Sequence, residues 1–151
     1  MTSYTKEQQA EHRKQWTAAL RSGDYTQGKF ALKTREGNFC CLGVACELAV
    51  KEGVTKHVGS TCTCGTDGCN SGSGYENQHG NPVNSTLAEN VMDWLGLATA
   101  GGELKDAVQY GQSPDGEPVV ANSLAGLNDD AGWTFAQIAD LIEAGGVQVQ
   151  E

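Results

Sequence analysis

At Cys40-Cys41-Leu42-Gly43 the hydrophobic period of the chain changes within a few residues, and this most constrains the fold. Upstream, Phe30, Leu32 and Thr34 alternate with polar neighbours, Arg35-Glu-Gly-Asn38 offers a turn, and Phe39 and Cys41 alternate again. That pattern predicts a β-hairpin. Downstream, Leu42, Ala45, Cys46 and Ala49 follow the i, i+3, i+4, i+7 spacing of an amphipathic helix ending near Glu52-Gly53. Strand running almost directly into helix excludes an all-helical or all-β chain.

Capping signals place the other helices. Thr5-Lys-Glu-Gln8, Thr86-Leu-Ala-Glu89 and Thr134-Phe-Ala-Gln137 each fit the capping box, in which a hydroxyl and a carboxylate or amide satisfy the first free backbone amides. The first predicts a helix over 6–21 with His12, Trp16, Ala19 and Leu20 on one face and a stop at Ser22-Gly23. The second opens a helix through Trp94 that ends at Gly96. The third leads a helix with Phe135, Ile138, Ala139 and Ile142 inward, stopped by Gly145-Gly146, beyond which the last five residues should fray. Two short strands, 104–109 and 117–120, would flank the turn Ser113-Pro-Asp-Gly116, and 122–128 reads as a short helix. The expectation is an α+β fold: about four helices on a small, mainly antiparallel sheet, with a long Gly-rich loop.

The chain of 151 residues suits one domain, 1–151, with one core. Leu, Ile, Val and Phe make up under a fifth of it, which raises disorder; a net charge of −9 is mild for this length, and three Trp, four Tyr and three Phe supply anchors. With 19 acidic residues against 10 basic, a nucleic-acid partner is not expected, since phosphates are held by Lys and Arg. No apolar run approaches the roughly 20 residues of a membrane span, and the polar stretch Met1 to Gln15 does not read as a signal peptide. A soluble cytoplasmic protein with reduced thiols is the expectation.

From Val54 to Ser85 no hydrophobic period is sustained, and the segment, rich in Gly, carries half of the six cysteines. It reads as a variable loop or insertion. Within it, His57, Cys62, Cys64 and Cys69, with His79 ten residues on, form the sharpest candidate for chemistry, because zinc takes four ligands drawn from thiolate and imidazole. The spacing lacks paired Cys-x2-Cys units, so three readings stay open: a structural zinc site, a disulfide formed in air, or unpaired thiols on a mobile loop. Elsewhere, Cys40, Cys41 and Cys46 read as small apolar packing residues, because nothing near Cys40 would lower a thiol pKa. Asn128-Asp129-Asp130 offers a carboxylate pair but reads first as a turn. Lys29, Lys33 and Arg35 are the one cluster of cations. No catalytic motif, such as a Walker loop or Gly-x-Ser-x-Gly, occurs.

Phe39-Cys-Cys-Leu-Gly-Val-Ala-Cys-Glu-Leu48, Trp94-Leu-Gly-Leu97 and the run from Leu127-Asn-Asp to Ile142 resemble, in order, the small uncharacterised accessory proteins of tailed bacteriophages. The resemblance covers about two-thirds of the chain, departs at 54–85, and carries over no catalytic residues. It implies a phage product acting in the cytoplasm of an infected bacterium. Two functions follow: a non-catalytic accessory protein that binds a host protein or a small signalling molecule of host defence, or a small metal-dependent enzyme using the His57–His79 loop and the Asn128–Asp130 turn.

Overall fold

A computed structural model describes residues 4–29, 31–34, 36–58, 74–77, 79–80, 82–83 and 86–150. Helices and small antiparallel sheets share one core, so the fold is α+β, with five helices among the described residues. In chain order these are α1 (Lys6–Ser22), α2 (Cys41–Lys51), β1 (His57–Val58), β2 (Gly74–Glu76), β3 (Pro82–Val83), α3 (Glu89–Leu95), β4 (Glu103–Gln112), β5 (Pro118–Ser123), α4 (Leu124–Asp129) and α5 (Phe135–Glu143).

The capping boxes at Thr5 and Thr134 both form, with threonine hydroxyl and glutamine amide satisfying each other's backbone N–H groups. α1 ends at Gly23, whose φ of 80° is left-handed and cheap only for glycine. Trp16 is fully buried, and its indole N–H donates to the Cys41 carbonyl at 2.9 Å, tying α1 to the start of α2. α5 buries the four residues expected of it. His12 stacks on Trp94 at 4.3 Å between ring centres, a packing role rather than a catalytic one. The 86–89 signal is a correction: α3 is capped at Ala88, with no side-chain cap bond, because Leu87 and Ala88 are pulled into the core and the helix starts after them.

α2 is apolar on nearly every face and buries all of Cys41 to Cys46. Its Gly43 is required by a close approach: a Cβ there would lie 1.7 Å from the Leu32 carbonyl oxygen. Leu32 is fully buried yet belongs to no strand. The expected hairpin over 30–41 is therefore a second correction; Phe30 and Arg35 fall outside the described residues, and isolated bridges join Gln27 and Lys33 to Phe39. The alternation of apolar residues marked burial, but the backbone makes single rungs around a Thr34–Gly37 turn instead of a ladder.

The second pair of expected strands does form. β4 and β5 pair antiparallel with register shifts between Glu103 and Val108 and between Gln109 and Gly111. Residues 147–150 do not fray, a third correction, and Glu151 lies outside the described residues: Val147 bridges Leu104 and Val149 bridges Leu97, and Val147 is buried. Inside the expected 54–85 loop, β1, β2 and β3 make a small antiparallel sheet anchored by the buried Tyr75, with His57 opposite Tyr75 and Tyr75 opposite Val83. Among the described residues no helix is long and apolar enough to cross a membrane.

Candidate functional site

The run Asn128-Asp129-Asp130 closes α4 rather than forming a free turn, and its first residue is buried completely. Asn128 Oδ1 accepts from the backbone N–H of Cys41 at 3.2 Å and from Gln27 Nε2 at 2.8 Å. Its Nδ2 donates to the Gly28 carbonyl at 2.9 Å and to Asp129 Oδ1 at 2.8 Å. Cys40, the residue before α2, makes no side-chain cap, so Asn128 supplies from across the core the acceptor that a cap would have given. Sequence spacing missed this role because the partners are remote in the chain. The residue is a hinge pin of the core, not a ligand.

Cys40, Cys41 and Cys46 are buried and reduced, as expected. Burial pushes the Cys40 thiol up to about 11 and those of Cys41 and Cys46 well above their ordinary value. Thiols held in this way stay protonated at neutral pH and do not act as nucleophiles. Cys41 Sγ donates instead to the Leu124 carbonyl at 3.6 Å.

Of the candidate metal ligands, Cys62, Cys64 and Cys69 lie outside the described residues. His57 sits on β1 with its Nε2 2.5 Å from Glu47 Oε2 of α2, and its ring centre is 5.4 Å from that of Tyr75. His79 is exposed in the turn after β2, where its backbone N–H donates to Asn77 Oδ1 at 2.9 Å. Among the described residues no three His, Cys, Asp or Glu side chains are grouped to hold a metal. What the structure adds is Glu47, ten residues upstream of His57 and invisible to metal-spacing rules. Beside it the Tyr75 hydroxyl is buried with no hydrogen-bond partner among the described residues, and burial, with the neighbouring Glu47 carboxylate, pushes the phenol far above its ordinary value. Glu47, His57 and Tyr75 thus pin the small sheet to α2. Of the expected cation cluster, Lys33 Nζ lies 5.7 Å over the Phe39 ring, and Arg35 lies outside the described residues.

Open surface lies along both flanks of α5. On one side a groove of about 830 Å³ is lined by Lys14, Arg13 and Glu11 of α1, Lys105, Ile142 and Val149. On the other a groove of about 550 Å³ runs between Asp106, Ala107 and Val108 of β4 and Gln137 and Leu141 of α5 with its C-cap Ala144, and Trp133 is in its wall. α5 itself is fixed to α1 by Arg21, which pairs with both Asp140 and Glu143; the pairing raises the pKa of Arg21 and lowers that of Glu143.

Residues 8–146 match the model of a family described as Domain of unknown function (DUF8296), and the chain belongs to that family. No curated protein and no solved structure matches it.

Proposed function

We propose that this DUF8296 chain is a non-catalytic accessory protein of a tailed bacteriophage, which binds a host component in the cytoplasm of the infected bacterium. The observation that carries the reading is the pair of grooves along α5, where apolar and charged side chains meet on a rigid helix. The groups with chemistry of their own are by contrast engaged inside the molecule. Asn128 is held by the core, and the thiols of Cys40, Cys41 and Cys46 are protonated. Small-molecule sites enclose most of their ligand. These grooves lie open along the surface, which favours a host protein over a small signalling molecule. The charge of −9 argues in the same way against nucleic acid.

The rival is a small metal-dependent enzyme working from His57. One observation favours it, the Glu47 carboxylate against the imidazole, which is how many metal-binding or proton-transferring histidines are oriented. Two experiments separate the readings. Tagged protein incubated with lysate of the infected bacterium should retain one stoichiometric partner. Turnover of a nucleotide or peptide pool that stops on addition of chelator would refute the binding role and support zinc at His57, Cys62, Cys64, Cys69 and His79.

A further inference from the structure

β4 is ten residues long and has two edges. One pairs with β5. The other is covered only at its start, where Gln148 N–H donates to the Glu103 carbonyl at 2.8 Å and Lys105 N–H donates to the Gly146 carbonyl at 2.9 Å. There the C-terminal segment lies antiparallel to β4, with Val147 opposite Leu104. At Gly146 the chain joins it to α5, and among the described residues no backbone partner continues along this edge past Lys105. The first residues of the uncovered part, Asp106 to Val108, line the groove of about 550 Å³ whose far wall is α5.

Exposed edges are usually protected by charge or proline, because their free N–H and C=O groups recruit other strands. Here charge sits only at the start of the uncovered stretch, on Asp106, and a proline, Pro114, only beyond it; from Ala107 to Ser113 the sequence is Ala-Val-Gln-Tyr-Gly-Gln-Ser, without a charged residue or a proline. Tyr110 is 38% exposed on it. A two-stranded ribbon is marginally stable alone in water, so an added strand would also complete it.

The groove's charge points to what would lie in it. Asp106 makes no ion pair among the described residues, and on the α5 side Arg21 is shared between Asp140 and Glu143, which leaves that helix net negative. Where the chain's own C-terminal segment lies on this edge, it sets an apolar residue, Val147, opposite Leu104. A second copy of this chain would bring Asp106 and a further charge of −9 against the same face. The register shifts in β4 also twist the ribbon, which suits a short segment better than a long sheet.

Resting on the reading of this chain as a protein-binding module, we infer that β4 and α5 form a strand-addition groove for a short extended segment of a partner protein, with apolar and basic residues in alternation. Backbone hydrogen bonds to the edge beyond Lys105 give the affinity, Trp133, Leu141 and Val108 take the apolar side chains, and Asp106, on a face kept net negative by α5, selects the basic ones.

The test uses a synthetic peptide of alternating valine and arginine, about nine residues long to exceed the uncovered edge. Its controls are the same peptide methylated on alternate backbone nitrogens and a version with glutamate for arginine. Amide shifts and hydrogen exchange of the full-length protein should change from Asp106 to Gln112 and at the Trp133 indole. Backbone methylation should weaken binding at least tenfold, the glutamate version should not bind, and Asp106→Lys should weaken the arginine peptide several-fold while leaving the far-ultraviolet spectrum unchanged. Absence of binding, indifference to backbone methylation, shifts confined to the other flank of α5, or self-association that protects these amides without peptide would each overturn the inference. A host partner retained equally by Asp106→Lys and by an Asp106→Lys, Trp133→Ala double variant would overturn it while leaving the binding function standing. Loss of every host partner by the unaltered protein would remove the function as well.

Discussion

Substituting alanine at Gly43 would set a methyl carbon 1.7 Å from the Leu32 carbonyl oxygen and 2.6 Å from its carbonyl carbon. Both atoms are backbone, so no side-chain rotation relieves the contact. Either α2 or the 31–34 segment must shift by more than an ångström, and both are built around fully buried residues, Leu42 and Leu32. Overpacking of a tight core costs about 1–3 kcal/mol, and a backbone contact belongs at the upper end. Against this, alanine gains roughly 1 kcal/mol over glycine inside a helix. The net expectation for Gly43→Ala is a loss of about 2 kcal/mol, or a fall in Tm of about 4–8 °C for a chain of this size. Urea denaturation followed by circular dichroism would read it as a lower midpoint at unchanged slope. Gly126→Ala supplies the control, since a Cβ in that helix meets only ordinary contacts, the nearest being Ala121 Cβ at 3.4 Å. A Gly43→Ala midpoint at or above that of the unaltered protein, or equal to that of Gly126→Ala, would refute the reasoning.

Asn128→Ala strands the buried Cys41 N–H and leaves the half-buried Gly28 carbonyl without this partner, and should cost about 2–3 kcal/mol in the same assay, most of it from the buried N–H at roughly 1–3 kcal/mol; a loss under about 1 kcal/mol would mean that water or Gln27 replaces it. Tyr75→Phe removes a buried hydroxyl that has no hydrogen-bond partner within normal geometry among the described residues, so its Tm should stay level or rise, and a clear fall would show that the hydroxyl is bonded, with Glu47 the neighbouring carboxylate. The Cys40 thiol titrates near 11 in the folded chain against 9.0 when unfolded. Because the unfolded chain loses its proton first, Cys40 leaves stability untouched below about pH 9 and lowers it progressively from there to about pH 11. Denaturation of the Cys40→Ala variant should show a shallower fall across that window; identical pH profiles would contradict the assignment. A thiol reagent at neutral pH should leave Cys40, Cys41 and Cys46 unmodified until denaturant is added, as read by mass spectrometry of the digested protein.

How much of this was legible in the sequence depends on how far each residue's partners lie along the chain. The caps at Thr5 and Thr134 close within three residues, so a local pattern identified them correctly. The same pattern at Thr86 misled, because burial of Leu87 and Ala88 decided where α3 starts. Alternation between 30 and 41 announced burial of Leu32 and Phe39 but not a ladder, since the helix lying against Leu32 through Gly43 determines that backbone's course. Asn128 looked like a turn residue because Gln27 and Cys41, its partners, lie at the other end of the sequence. Val147 and Val149 carried the strand period in plain view, and only their place near the terminus made fraying the default. For the site, His57 was identified but its Glu47 neighbour was not, and the α5 grooves, assembled from remote segments, left no signature at all.

The packing of α1 on α5 also bears on how these elements come together during synthesis. α1 packs on α5, and Gln150 N–H donates to the Gly96 carbonyl at 2.8 Å while the Gln150 side chain reaches Asp93 and Gln9. At about 5–20 residues per second, synthesis from the end of α1 to the end of α5 takes roughly 6–24 s. Through that interval α1 has been made, but α5, which packs on it, has not left the ribosome. α1 therefore waits for its partner until α5 has emerged, and a nonsense mutation just after α5 would take away the closing bonds of Val147, Val149 and Gln150 from elements that were otherwise in place.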